Sequence, residues 1–136
     1  MVFRLEKDRY ALPLSAIKEV VATPERFTRV PRAPASLRGV MNLRGRVVPV
    51  VDLRALLRVQ AAGMPATKVV LLDRGRRELG LLITDVDGIE SIDKVASAGA
   101  GSGPTVRGLA RLGALAITVL DPDGLDAAVA HAFTTR

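Results

Sequence analysis

Cysteine and tryptophan are both missing from this 136-residue chain. Without cysteine there is no disulfide framework, no thiolate nucleophile and no soft metal ligand. Histidine occurs once, as His131 in an alanine-rich stretch. That excludes paired imidazole chemistry and leaves carboxylates as the main source of metal ligands. "DVDG" (85–88) and "DPDG" (121–124) faintly resemble calcium loops, but the remaining ligand positions and the closing glutamate are not in place. Both read as strand-end turns, so no metal and no cofactor are expected. The glycine-rich "GAGSG" (99–103) runs into Pro104 instead of a Lys-Ser/Thr pair and a helix. It reads as part of a flexible loop over 96–104, not as a phosphate cradle. No serine sits in a nucleophile elbow, and nothing in the chain argues for an enzyme.

Aromatic residues make up only 3% of the chain, as Phe3, Tyr10, Phe27 and Phe133. Surfaces that bind single-stranded nucleic acid stack bases on aromatic rings, so a small basic OB-like barrel binding nucleic acid is the weaker alternative. No apolar run approaches the roughly 18 residues of a membrane span. The opening "MVFRLEKD" has no signal-peptide core. The expectation is a cytoplasmic protein that does not insert into membranes.

Positive charge is plentiful. The net charge is +6, from 20 Lys+Arg against 14 Asp+Glu. Residues 1–58 hold 12 basic against 5 acidic residues (+7), and residues 59–136 hold 8 against 9 (−1). A basic first half attracts nucleic acid, anionic lipid or an acidic protein surface. Aliphatic residues are also plentiful, since 49% of the chain is hydrophobic. That is enough for the core of one domain, expected over 1–136.

"VFRLEKDRYALPL" (2–14) is two apolar runs around a polar turn, a hairpin signature. "SAIKEVV" (15–21) begins with helical spacing but ends on β-branched residues, so helix and strand compete over 17–22. Pro24, Pro31 and Pro34 make the next stretch an ordered loop, with one helical turn at Ala35–Leu37. Four strand-length runs follow: "GVMNL", "RVVPVVDL", "TKVVLLDR" and "ELGLLITDV". "DRGRR" (73–77) reads as a hairpin turn with Gly75 at positive φ. Asp52 is a plausible cap for a short helix, "DLRALLRV". "GIESID" reads as a further strand, "TVRGLARLG" and "ALAITVLDP" as the last hairpin, and the residues after Pro122 as a helix. The sum is an antiparallel barrel class with short helices, not a parallel sheet. "RGVMNLRGRVVPVVDLRAL" and "RGLARLGALAITVLDPDGL" echo each other; two similar barrels would produce that echo, and so would convergent hairpin grammar.

The run "RVPRAPASLRGVMNLRGRVVPVVDLRALL" (29–57) is similar to the signature of the CheW-like domain family. The match rests on Arg29, Val30, Pro31, Pro34, Gly39, Val40, Asn42, Leu43, Arg44, Gly45, Pro49, Asp52 and Leu53. The opening hairpin region (3–20), the central hairpin (68–89) and the closing hairpin (106–125) extend the resemblance to nearly the whole chain. It is least at 96–104, and Pro122 and Gly124 stand where members usually have better helix or strand formers. Members often carry an N-terminal extension, whereas here Met1 leads directly into the first strand.

The resemblance implies an all-β fold of two side-by-side five-stranded SH3-like β-barrels with short helices, and no catalytic activity. It implies a coupling role in bacterial chemosensory arrays. The partners would be the cytoplasmic tips of methyl-accepting chemoreceptors and the regulatory domain of a CheA-type histidine kinase, so the protein would be recruited to membrane-associated receptor arrays. By position in the family, Ile17 and Glu19 line a receptor groove with Arg44. Asn42 and Leu43, beside Arg44 in the matched motif, are further candidates for partner binding, and Val69 is a further candidate for the groove or the kinase side. Gly39 and Gly45 permit tight backbone geometry around Arg44, Asn42 can hydrogen-bond the turn's own backbone, and Pro49 suits a strand edge. Arg44 could also serve only to tie loops together through its five donors, Ile17 and Val69 could be core residues, and Glu19 a solvated one.

Overall fold

The computed structural model describes residues 1–75, 77–97 and 103–134. The chain forms eleven strands and two α-helices among these residues. In chain order the strands are β1 (Val2–Leu5), β2 (Asp8–Ala11), β3 (Ile17–Ala22), β4 (Leu37–Leu43), β5 (Arg46–Asp52), β6 (Lys68–Arg74), β7 (Arg77–Ile83), β8 (Asp85–Gly88), β9 (Ala96–Ser97), β10 (Val106–Leu112) and β11 (Leu115–Leu120). The helices are α1 (Leu53–Leu57) and α2 (Pro122–Thr134).

One sheet has the order β8-β1-β2-β11-β10-β9 and the other β3-β6-β7-β5-β4. The fold is mainly β with two sheets side by side, as the sequence indicates. Three details differ from the sequence reading. Each sheet contains one parallel pair, β2 with β11 and β5 with β7. The first sheet has six strands instead of five. Among the described residues no backbone ladder joins the outer strands of either sheet, so neither closes into a barrel by hydrogen bonds.

The internal echo is structural. β4–β5 and β10–β11 are both tight antiparallel hairpins, each with a register shift just before a glycine, Gly39 or Gly108. At both glycines a neighbouring carbonyl sits where a Cβ would be, that of Thr28 and that of Ala96. Both hairpins end on an aspartate whose N–H donates at 2.8 Å to a carbonyl upstream, Asp52 to Ser36 and Asp121 to Thr105. Both aspartates then cap a helix, with Asp52 Oδ1 accepting from the Arg54 N–H at 3.1 Å and Asp121 Oδ1 from the Asp123 N–H at 3.0 Å. The two-residue β9 in one unit takes the place of a single bridge, Thr28 to Val40, in the other. That bridge accounts for the unequal strand counts.

The helix-or-strand competition over 17–22 resolves as strand β3, preceded by a 3-10 turn (Leu14–Ala16). Alternation does not mark this strand in sequence because most of its residues are half-buried on both faces. "GIESID" is not a strand. The strand lies earlier, at 85–88, where "DVDG" pairs with β1 instead of forming a turn. Residues 35–36 form a turn and Leu37 already belongs to β4, so no helix forms there. Gly75 has φ +73 between the paired Arg74 and Arg77. Of the 96–104 loop, residues 96–97 are β9, and residues 98–102 lie outside the described residues.

Pro49 is not on an edge, because β5 lies between β7 and β4. It is tolerated for another reason. Val40, opposite Pro49, turns both its backbone groups away to Thr28, with two bonds of 2.9 Å. On the other side, pairing with β7 starts only at Val50. The donor that proline lacks is therefore not called on by either neighbour.

One core joins the two sheets. Phe3 and Leu5 from β1, Val70 and Leu72 from β6, and Leu120 and Leu125 around the start of α2 pack in a single buried cluster. Smaller clusters fill the other face of each sheet. Among the described residues no helix is long and apolar enough to cross a membrane.

Candidate functional site

Arg44 and Gly45 form the two-residue turn between β4 and β5. Both have positive φ, +51 and +83, as a type I′ hairpin turn requires. Glycine adopts this geometry freely, whereas arginine does so at a cost. Asn42 offsets part of that cost, because its Oδ1 accepts the Gly45 N–H at 3.0 Å. The turn is thereby fixed from within, and Arg44 is carried on rigid backbone.

The side chain of Arg44 reaches across the sheet. Its guanidinium donates to Glu19 Oε1 on β3. β3 and β4 are the two ends of the strand order, so this ion pair joins opposite edges of one sheet. The sheet is rolled until its ends meet through side chains, although no ladder closes it.

A second set of charges lies at the same end of the roll. Glu78 at the start of β7 accepts from Lys18 Nζ on β3 at 2.5 Å and from the Arg46 guanidinium on β5, both at Oε1. Its other oxygen is buried with no partner among the described residues. The hydrogen bond from Lys18 holds the Glu78 carboxyl below the usual range; burial opposes this, and Arg46 reinforces it. The sequence reading missed Lys18, Arg46 and Glu78. Arg46 had a signal, standing two residues from Arg44 across the turn. Glu78 had none, since its approach to Lys18 and Arg46 depends on how the sheet rolls.

The expected site residues separate into two groups. Arg44, Glu19 and Asn42 converge on the hairpin end, with the Arg44 side chain 59% exposed and that of Glu19 29%. Leu43 is half-buried beside them, packed on the smaller core cluster of this sheet, and Ile17 is half-buried against the large one. Val69 stands apart. It is fully buried between Val50, Leu71 and Leu82 and offers no surface to a partner. It is the second residue of β6, paired on both sides, and an inner strand buries both its faces.

A third polar node holds the fold together away from the hairpin. Glu6 is 2% exposed. Its Oε1 accepts from Arg54 at 2.6 Å and its Oε2 from the Met64 N–H at 3.1 Å, while Arg54 also donates to Asp52 at 3.2 Å. Burial pushes the Glu6 carboxyl up, but the hydrogen bonds from Arg54 and from the backbone at Met64 and Ala62 outweigh it and hold it below the usual range.

The profile of the CheW-like domain matches residues 1–129. This chain belongs to that family. Among CheW-like proteins, it is 34% identical over 94 residues to the chemotaxis protein CheW of Rhizobium meliloti strain 1021, covering 68% of this chain and 59% of that protein. It is 29% identical over 93 residues to the chemotaxis protein CheW of Klebsiella aerogenes, covering 68% and 55%. It is 27% identical over 89 residues to protein PilI of Pseudomonas aeruginosa, covering 65% and 49%. The matched region thus spans about half to three-fifths of the length of these relatives. The fold resembles the crystal structure of the scaffolding protein TtCheW from Thermoanaerobacter tengcongensis, with a TM-score of 0.78 and 24% identity over 88% of this chain and 81% of that one.

Proposed function

We propose that this CheW-like chain is a non-enzymatic coupling scaffold. It links the cytoplasmic tips of chemoreceptors to the regulatory domain of a CheA-type histidine kinase, as one domain over 1–136 in the cytoplasm. The family match over 1–129 carries the reading. The hairpin end supports it physically. Arg44 is held by a fixed turn and a carboxylate, yet more than half of its side chain is exposed. A guanidinium has five donors and Glu19 uses few of them, so a partner carboxylate or carbonyl can share it without breaking the pair. Leu43, next to Arg44 and half-buried, adds aliphatic surface beside this charge, a combination that suits a helical partner laying an apolar stripe against it.

The test is a calorimetric titration of the full chain with the regulatory domain of a CheA-type kinase and, separately, with a receptor-tip fragment. Saturable micromolar binding to both is expected. Binding to neither by a folded chain would refute the coupling role.

A further inference from the structure

The positive charge of the first half is not evenly spread over the surface. Most cations on the two sheets meet a carboxylate: Arg4 and Arg9 share Asp87, Lys18 and Arg46 share Glu78, and Arg74 holds Asp123. The segment from Thr23 to Arg38 differs. Arg26, Arg29, Arg32 and Arg38 are all exposed there, and none pairs with a carboxylate among the described residues. Glu25 is the one acidic residue of the segment.

Two of these arginines converge. Arg29 and Arg38 line one concavity of about 220 Å³, together with Val30, Ala33, Pro34 and Leu37. Val30 is 42% exposed within it. The backbone that carries the concavity is fixed. Thr28 exchanges two hydrogen bonds with Val40, the Asp52 N–H donates to Ser36, and Gly39 leaves room for the Thr28 carbonyl. Three prolines restrict the rest of the loop. Little backbone entropy is left for a ligand to remove on binding.

We propose that this concavity docks an acidic segment of a protein partner. Its carboxylates would meet Arg29 and Arg38, and an aliphatic side chain would lie against Val30 and Leu37. Planar guanidinium forks match carboxylates bidentately, and the surface of the concavity is mostly polar. Nucleic acid fits less well, because no residue lining the concavity is aromatic and could stack a base. Phe27 is already covered by the Arg38 guanidinium at 4.8 Å, and Phe3 is buried against Tyr10. Arg38 and Arg44 stand near opposite ends of β4, about 20 Å apart at the strand rise. Both can be engaged at once, and the inference does not depend on the coupling role proposed for Arg44.

The test uses the full chain and a labelled synthetic peptide of glutamates interspersed with leucines, read by fluorescence anisotropy at increasing salt. The lysine counterpart of the peptide and an oligothymidylate serve as comparison probes. Saturable binding of the acidic peptide that weakens with ionic strength is expected. Arg29→Glu combined with Arg38→Glu should weaken it at least about tenfold, and Arg107→Glu, an exposed charge on the other sheet, less than about twofold. Both side chains are exposed, so the melting temperature should hold; if the reversal unfolds the chain, the double substitution to Gln gives the same comparison. Undiminished binding by the double variant would overturn the proposal. So would equal loss from Arg107→Glu, or tighter binding of the oligothymidylate than of the peptide.

Discussion

Arg44 adds one ion pair to the fold and leaves most of its side chain in water. Exposed pairs of this kind contribute about 0.2–1 kcal/mol. Arg44→Ala is therefore expected to lower thermal stability only slightly while reducing partner binding by much more, measured by melting and calorimetry on the same preparation. Comparable losses of both would make Arg44 a structural residue. Val69→Ala should do the reverse. Removing two buried carbons costs about 2 kcal/mol, and partner binding by the remaining folded protein should be unchanged. The contrast shows what sequence can supply at this scale. Local chemistry around "NLRG" pointed to a glycine-assisted turn and an Asn42 bond to it, and both are present. For Val69 the sequence left core and partner surface open, because an aliphatic residue in a strand reads alike whether its strand is inner or edge; the structure decides for the core.

At the scale of elements, the molecule uses one hairpin plan twice. In both copies a glycine accepts a carbonyl against its α-carbon and an aspartate ends the second strand by capping a helix. A Cβ at Gly39 would lie 2.6 Å from the Thr28 carbonyl oxygen, at a φ of +147 that side chains rarely adopt. Gly39→Ala should accordingly cost about 1–3 kcal/mol, seen as a lower urea midpoint. The repeat was visible in sequence as an echo, since turn glycines and capping aspartates leave local marks. Its meaning was not, because the carbonyls that require those glycines come from residues more than ten positions away. Gly124 makes the same point. It weakens a helix on propensity alone, yet the Pro104 carbonyl packs where its side chain would be. Pro122 likewise opens α2 at a first-turn position, where a missing N–H is harmless.

The whole molecule is held as one unit by chain crossing and a shared core. β3 follows β2 of the first sheet but joins the second, and β8 follows β7 of the second but joins the first. With one buried cluster drawing on both sheets, urea unfolding followed by circular dichroism and by Tyr10 fluorescence should give coincident single transitions. Acid should weaken the fold. Glu6, Glu78 and Asp85 have carboxyls held below their ordinary values by hydrogen bonds and nearby cations. A depressed folded-state value stabilises above the unfolded-state pKa, and that stabilisation is lost as pH falls through the folded value. Melting temperature should then hold at neutral pH and drop below about pH 4, with a smaller drop in Glu78→Gln.

The coupling role is tested most directly by whether one chain holds both partners. The measurement is the mass of the complex formed when the full chain is mixed with a CheA-type regulatory domain and a receptor-tip fragment, by size exclusion with light scattering. The account predicts a ternary complex that forms only when this chain is present and is depleted by Arg44→Ala although the melting temperature falls only slightly. A folded chain that binds neither partner, or that binds them only in mutual exclusion, would contradict it.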